Sequence, residues 1–408
     1  MVNSHKKGKI LRKTAVPLIV LVLNFCAFSY DFAGGTGEPN DPYQIETAEQ
    51  LLFIGTDPNL LDKNFILIND INLNPNLPGG KVFEDSLIAP DINDANFFWQ
   101  GTPFSGCFDG NNHIITNLVI NADDKNYIGL FGYIVYGQVK NLCIEDFYVC
   151  GYSGVGGLAG ISVFSTITSC YTSGKVVNYW LCCGGLIGAT RDVNITNCGT
   201  RGDITGYSYL GGLIGDNGYN TIDNCYADCF VNGNMYVGGL IGINYSGIIS
   251  NCYSTGLVTI AAQYSGGLIG RDSSGTMTAC FWDVENSGTT DGVGNKDPDP
   301  NGVYGRTTEQ MQTLTTFTDY GWDFENIWAI CEGTNYPKLQ WQIPLADLLC
   351  PDGVNFLDFA FFSDYWLETG CADSNGCDGT DFDLSGQVDS RDLKIFIDCW
   401  LGKLEIEG

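Results

Sequence analysis

The chain has 408 residues, enough for more than one domain, and it is strongly acidic, with 47 Asp and Glu against 19 Lys and Arg. A negative field of that size repels nucleic acid and anionic membranes and excludes both as partners. It suits an exported protein that takes up divalent cations.

The first element is basic and then apolar: Lys6, Lys7, Lys9, Arg12 and Lys13 precede "AVPLIVLVLNFCAF". That order predicts a secretory signal peptide over residues 1–29 and a secreted or cell-surface protein, with no membrane span left after its removal. Five basic residues leave with it, so 14 of the 19 remain against 47 acidic ones. Sixteen of the 17 cysteines stay, which in an exported chain points first to disulfides.

Residues 30–126 read as an N-terminal cap and opening coils. In "ETAEQLLFIG", Thr47 and Gln50 stand at capping-box spacing before an apolar run, predicting a short helix over the end of a stack.

From 127 to 282 the chain repeats. "GGLIG" stands at 184–188, 211–215, 238–242 and 266–270, with "GGLAG" at 156–160 and "IGLFG" at 128–132. The key glycines Gly157, Gly185, Gly212, Gly239 and Gly267 are 28, 27, 27 and 28 residues apart, and Gly129 extends the series. A fixed period of this length marks a solenoid. Neither a following Lys-Ser/Thr nor helical spacing is present, so these are not nucleotide loops; they fit points where backbones approach closely.

Columns within the repeat give its shape. Ten residues after the key glycine stand Val139, Ile167, Ile195, Ile222, Ile249 and Met277. Two further on come Asn141, Ser169, Asn197, Asn224, Asn251 and Ala279, then Leu142, Cys170, Cys198, Cys225, Cys252 and Cys280. Runs around G-L-I-G, I-x-N-C-Y and G-x-V predict a mostly β chain wound as a right-handed parallel β-helix. Each coil of about 27–28 residues then holds three strands, with neighbouring coils about 4.8 Å apart. A left-handed bend at the Asn column would let both the Ile and the Cys face inward, and stacked Asn amides would form a ladder. The Cys column begins with Leu142, so it reads as an apolar slot filled by free thiols rather than disulfides or zinc ligands.

These units resemble the GLUG repeat of secreted bacterial surface proteins, among them adhesins and relatives of immunoglobulin-A peptidases. "YDFAGGTGEPNDPYQIETAEQL" and "FSGCFDGNNHIITNLVI" are similar to the opening coils of such solenoids. The resemblance spans 127–282, or 30–341 with its flanks; it implies the fold and a surface location but no activity.

Two aromatic columns accompany the repeat. Tyr209, Tyr236 and Tyr264, each three residues before a key glycine, are candidates for stacking sugars of a polysaccharide; Tyr171, Tyr226, Tyr253 and Phe281 form the second. Residues 283–341 read as the C-terminal cap, where Thr307 and Gln310 repeat the capping-box spacing.

Residues 342–408 change composition. "DFDLSGQVDSRD" fits a twelve-residue Ca2+ loop: Asp381, Asp383 and Ser385 at positions 1, 3 and 5, Gly386 at the turn, the Gln387 carbonyl at 7, Asp389 at 9 and Asp392 at 12. Phe362, Asp364, Trp366 and Leu367 recur as Phe396, Asp398, Trp400 and Leu401, 34 residues on. This tandem resembles a type I dockerin, a small α-helical module with two calcium loops. The resemblance implies a cohesin-like protein partner contacted through Ser390 and Arg391. The first copy, "DLLCPDGVNFLD", departs from the pattern with Leu349 and Pro351 at ligand positions and Phe356 and Leu357 at the contact positions. Cys350, Cys371, Cys377 and Cys399 are candidates for stapling the module.

No catalytic constellation emerges. Asp192, Asp203, Asp216, Asp223, Asp228 and Asp272 fall in different columns, and His113 is the one histidine after signal removal. The expectation is a non-catalytic surface protein for adhesion, glycan binding or extracellular assembly. The alternative is a polysaccharide-degrading β-helix, a lyase or glycoside hydrolase of a dockerin-bearing complex.

Overall fold

A computed structural model describes residues 32–93, 99–259, 263–371 and 375–401; the expected signal peptide lies outside them. The repeat forms a parallel β-solenoid. Around Gly185 one coil contains the strands Leu181–Gly184, Ile187–Arg191, Asn194–Thr196 and Gly199–Thr205. Each pairs in parallel with its counterpart in the next coil: Ser208–Gly211, Ile214–Gly218, Thr221–Asp223 and Tyr226–Asn232.

That makes four strand segments per coil, where three were expected, and the Asn column supplies part of the reason. Asn141, Ser169, Asn197, Asn224, Asn251 and Ala279 all have φ between 51° and 54°. The run I-x-N-C-Y is therefore bent in two, and its second half continues into G-x-V as one strand. Two more left-handed columns mark corners that the sequence reading did not find. One is Tyr127, Cys182, Tyr209, Tyr236 and Tyr264; the other is Tyr136, Phe164, Asp192, Tyr219 and Ser246. A left-handed non-glycine residue costs roughly 1–2 kcal/mol, so each coil carries strain that stacking between coils must offset.

The bend places both predicted columns inside. Ile195, Ile222 and Ile249 are Cα partners on successive coils and fully buried. Cys170, Cys198, Cys225, Cys252 and Cys280 are buried free thiols. Each thiol is satisfied locally: Cys198 donates to the Thr196 carbonyl at 3.2 Å, and Cys225 to that of Asp223 at 3.2 Å. The Asn column does not pair with itself. Asn224 and Asn251 both donate to the Asp223 carboxylate, at 2.8 and 2.9 Å. A buried amide ladder exists elsewhere, in the six-stranded sheet from Phe131–Val135 to Ile269–Asp272. There Asn217 donates to Asn244 at 2.7 Å, and Asn244 to Asp272 at 2.9 Å.

Both predicted capping boxes are present. Thr47 and Gln50 cap helix Ala48–Ile54, which buries Leu51 and Ile54, and Thr307 and Gln310 cap helix Thr308–Met311. The C-terminal cap goes further than closing the stack. Its Met311, Phe317, Trp322 and Trp328 pack with Tyr253, Ala279 and Phe281 in one cluster. Trp328 Nε1 donates to Asn224 Oδ1 at 3.2 Å and Trp341 Nε1 to the Asn197 carbonyl at 3.0 Å. The segment thus straps back along the side of earlier coils.

Beyond it, helices Phe356–Asp364 and Ser390–Leu401 enclose a separate cluster around Phe362, Val388 and Phe396. Two disulfides close here, Cys371–Cys377 and Cys331–Cys350. The staple differs from the expected set: Cys350 reaches back to the cap, and Cys399 is a free, half-buried thiol. Among the described residues no helix is long and apolar enough to cross a membrane.

Candidate metal centre and aromatic faces

The loop before Ser390–Leu401 is built by its own carboxylates. Asp381 Oδ1 accepts from the Ser385 amide at 3.0 Å and Oδ2 from Gly386 at 2.8 Å, which tightens the turn where Gly386 has φ 88°. Asp392 Oδ1 accepts from Asp383 N at 3.1 Å and Oδ2 from Asp389 N at 2.8 Å, tying the helix start to the loop. Asp381, Asp383 and Asp392 each bring a carboxylate oxygen within 4.8 Å of the others, and Asp381 and Asp392 are buried. Two like charges at that separation repel by about 3.5 kcal/mol at an effective dielectric of about 20, which a divalent cation would reverse. The donors are all hard oxygens, and each bonded oxygen keeps a second lone pair, so the set fits Ca2+.

The remaining predicted positions divide. The Gln387 carbonyl accepts from the Ser385 hydroxyl at 3.2 Å, so positions 5 and 7 meet at the loop. Asp389 stands apart from the trio and pairs with Arg391 at 3.1 Å, which holds its carboxyl below the usual range. Asp383 is likewise held down, first by its hydrogen bond with Ser385. Ser390 and Arg391 are exposed, as a contact surface requires, but Arg391 is also 3.3 Å from Asp383. The first loop holds a trio as well, from other positions: Asp347, Asp352 and Asp358. Asp352 sits three residues beyond ligand position 3, where Leu349 stands, and an alignment on alternating positions misses it. Phe356 and Leu357 are 76% and 67% exposed, an uncommon apolar outcrop.

On the solenoid, Tyr209, Tyr236 and Tyr264 do come together. Ring centroids are 5.1 Å apart for the first pair and 5.9 Å for the second, and the Arg271 guanidinium lies 5.6 Å from the Tyr236 ring. The rings therefore meet one another and a cation, as a stabilising ladder does. Beside them is a group the sequence reading left among scattered acids. Asp216 stands in the row Ala189, Asp216, Ile243, Arg271 of the six-stranded sheet. Burial pushes its carboxyl up to about 6, and the Cys182 thiol lies 4.0 Å from its Oδ2. His113 stands just before the strand Ile114–Thr116, and its Nδ1 meets Asp70 at 2.9 Å.

Comparison with known proteins agrees with the repeat. The model of the GLUG motif matches residues 233–261. A "Putative Gly-rich membrane protein" of Evansella cellulosilytica is 40% identical over 122 residues, 29% of this chain and 12% of that protein. The "Halomucin" of Haloquadratum walsbyi is 29% identical over 147 residues, 35% of this chain and 2% of that protein. The chain thus matches only a small part of either relative's length. A crystal structure described as a "putative immunoglobulin A1 protease" from Bacteroides ovatus superposes with a TM-score of 0.57 at 22% identity. It covers 76% of this chain and 96% of its own, a likeness of fold alone. This chain is a β-solenoid protein that carries the GLUG motif.

Proposed function

We propose that this is a secreted or cell-surface, non-catalytic solenoid used for adhesion or extracellular assembly, attached through a calcium-binding, dockerin-like C-terminal unit. The coil is taken as right-handed, the hand of about 98% of parallel crossovers. The names of the two curated relatives, a membrane protein and a halomucin, support a place at the cell boundary. The observation that carries the reading is the convergence of Asp381, Asp383 and Asp392 at the start of a helix. Calcium there would cancel their repulsion and fix the face bearing Ser390 and Arg391, the surface offered to a cohesin-like protein. Adhesion to a polysaccharide through Tyr209, Tyr236 and Tyr264 belongs to the same reading.

Calorimetry of the chelator-treated protein with CaCl2 tests it. Saturable binding that is lost in Asp381→Asn with Asp392→Asn supports the attachment unit. No heat, or heat that survives both substitutions, removes calcium and with it the dockerin-like role.

A further inference from the structure

One face of the solenoid opens into a cleft of about 440 Å³, lined by neither the calcium loop nor the Tyr209 strip. It arises at a break in the second aromatic column. The position fourteen residues after each key glycine holds Cys143, Tyr171, Gly199, Tyr226, Tyr253 and Phe281 in turn. Gly199 pairs with Tyr171 on one side and Tyr226 on the other. The Tyr226 ring leans into the vacant place, so that a Cβ on Gly199 would lie 2.3 Å from its Cε1. Tyr226 and Tyr253 stack at 5.4 Å and are pinned by their hydroxyls, which donate to Gln342 Oε1 at 2.9 Å and the Pro337 carbonyl at 2.5 Å. Tyr171 stays on the far side of the break.

Two residues along the same strands runs a polar row: Glu145, Ser173, Arg201 and Asp228, in register. Thr255 continues it, donating to Asp228 Oδ1 at 3.0 Å. Arg201 lies 3.7 Å from Asp228 with its side chain 70% exposed. The strap closes the other side with Lys338 and Trp341. An aromatic wall beside a row of guanidinium, carboxylate and hydroxyl groups suits a sugar ring. Its C–H face packs on the aromatic, and its hydroxyls bond in pairs to planar charged groups. The cleft falls in the ~300–1,000 Å³ range of small-ligand pockets, room for a short saccharide.

Charge selects the kind of sugar. Arg201 and Lys338 balance Glu145 and Asp228 within the cleft, whereas the chain as a whole has 47 acidic residues against 19 basic ones. Polyanionic glycans are repelled by that field. We infer that this cleft binds a neutral oligosaccharide, with Arg201 and Asp228 meeting its hydroxyls and Tyr171 and Trp341 bounding its rings. The site is independent of calcium and of the Tyr209 strip.

The test is calorimetry and tryptophan fluorescence of the full-length protein against cello-, manno-, xylo- and laminaritriose, with an oligogalacturonate as the anionic comparison. At least one neutral trisaccharide should bind saturably, and Arg201→Ala and Tyr171→Ala should each weaken it about tenfold or more. Arg201→Ala removes an exposed side chain and should leave the thermal transition in place, which separates lost contact from lost fold. Tyr219→Ala, which removes an exposed ring outside the cleft, should leave the affinity alone. Binding of none of the trisaccharides, tighter binding of the oligogalacturonate, or affinity untouched by both cleft substitutions overturns the proposal.

Discussion

Replacing Gly212 with Ala tests the contact on which the stack is built. A Cβ there would lie 2.2 Å from the Gly239 carbonyl oxygen and 2.7 Å from the Ala227 Cβ. Neither neighbour can swing away, because one is backbone and the other is fixed to a strand. Relief requires the two coils to part by about 1 Å, which stretches the ladder bonds Gly212 N to Gly239 O at 3.1 Å and Leu213 N to Leu240 O at 2.8 Å. Losing or weakening two buried backbone bonds costs about 1–3 kcal/mol each, and overpacking adds about 1–3, for a total of about 3–9 kcal/mol. Gly218→Ala is the control, since its register partners are Arg191 and Tyr245 and the nearest atom to its Cβ is 3.1 Å away. Urea denaturation should show a large fall in midpoint for Gly212→Ala and a change of about 1 kcal/mol or less for Gly218→Ala. Equal midpoints for the two variants would refute the reasoning.

Two other outcomes follow from the buried groups. Burial raises Asp216 to about 6 in the folded protein, above its unfolded value of about 3.9, so the stability it contributes is present at low pH and lost as pH rises through about 6. Asp216→Asn should therefore gain about 1–3 kcal/mol on wild type between pH 4 and pH 7.5, and denaturation curves that keep a constant separation would contradict the shift. The thiol ladder predicts about 12 titratable thiols in the unfolded, unreduced chain lacking residues 1–29, matching the 12 free cysteines among the described residues, with the interior five unreactive in the native state. A marked deficit after unfolding would mean that the column is cross-linked.

The repeat was legible because each coil samples the same environments in the same order. A column such as Ile195, Ile222 and Ile249 states its burial several times over, and Leu142 at the head of the Cys column identified that slot as apolar. Both capping boxes were equally plain, being local chemistry. What escaped was set by contacts with no local signal. The strap is fixed by bonds between residues 104 and 144 positions apart, from Trp328 to Asn224 and from Trp341 to Asn197. The amide ladder carries no such signal because its members, Asn217, Asn244 and Asp272, share polarity but not identity. Tyrosine at left-handed corners runs against residue preference, so nothing in Tyr209 or Tyr236 announced a bend. In the C-terminal unit the helix pairing of Phe362 with Phe396 was readable from the 34-residue offset, while the place of Asp352 beside Asp347 and Asp358 is set by the fold of the loop and not by alternating spacing.

The in-register coil is the claim on which the rest depends, and spin labels on the exposed corner of one column test it most directly. With one label at Thr276 and the second at Gln138, Thr166 or Asn194, the register places five, four and three coil spacings between them. Pulsed electron paramagnetic resonance should give backbone separations near 24, 19 and 14 Å, a step of about 4.8 Å for every repeat removed. Distances that fail to shorten in equal steps, or that scatter broadly, would contradict a stacked ribbon and the sites built upon it.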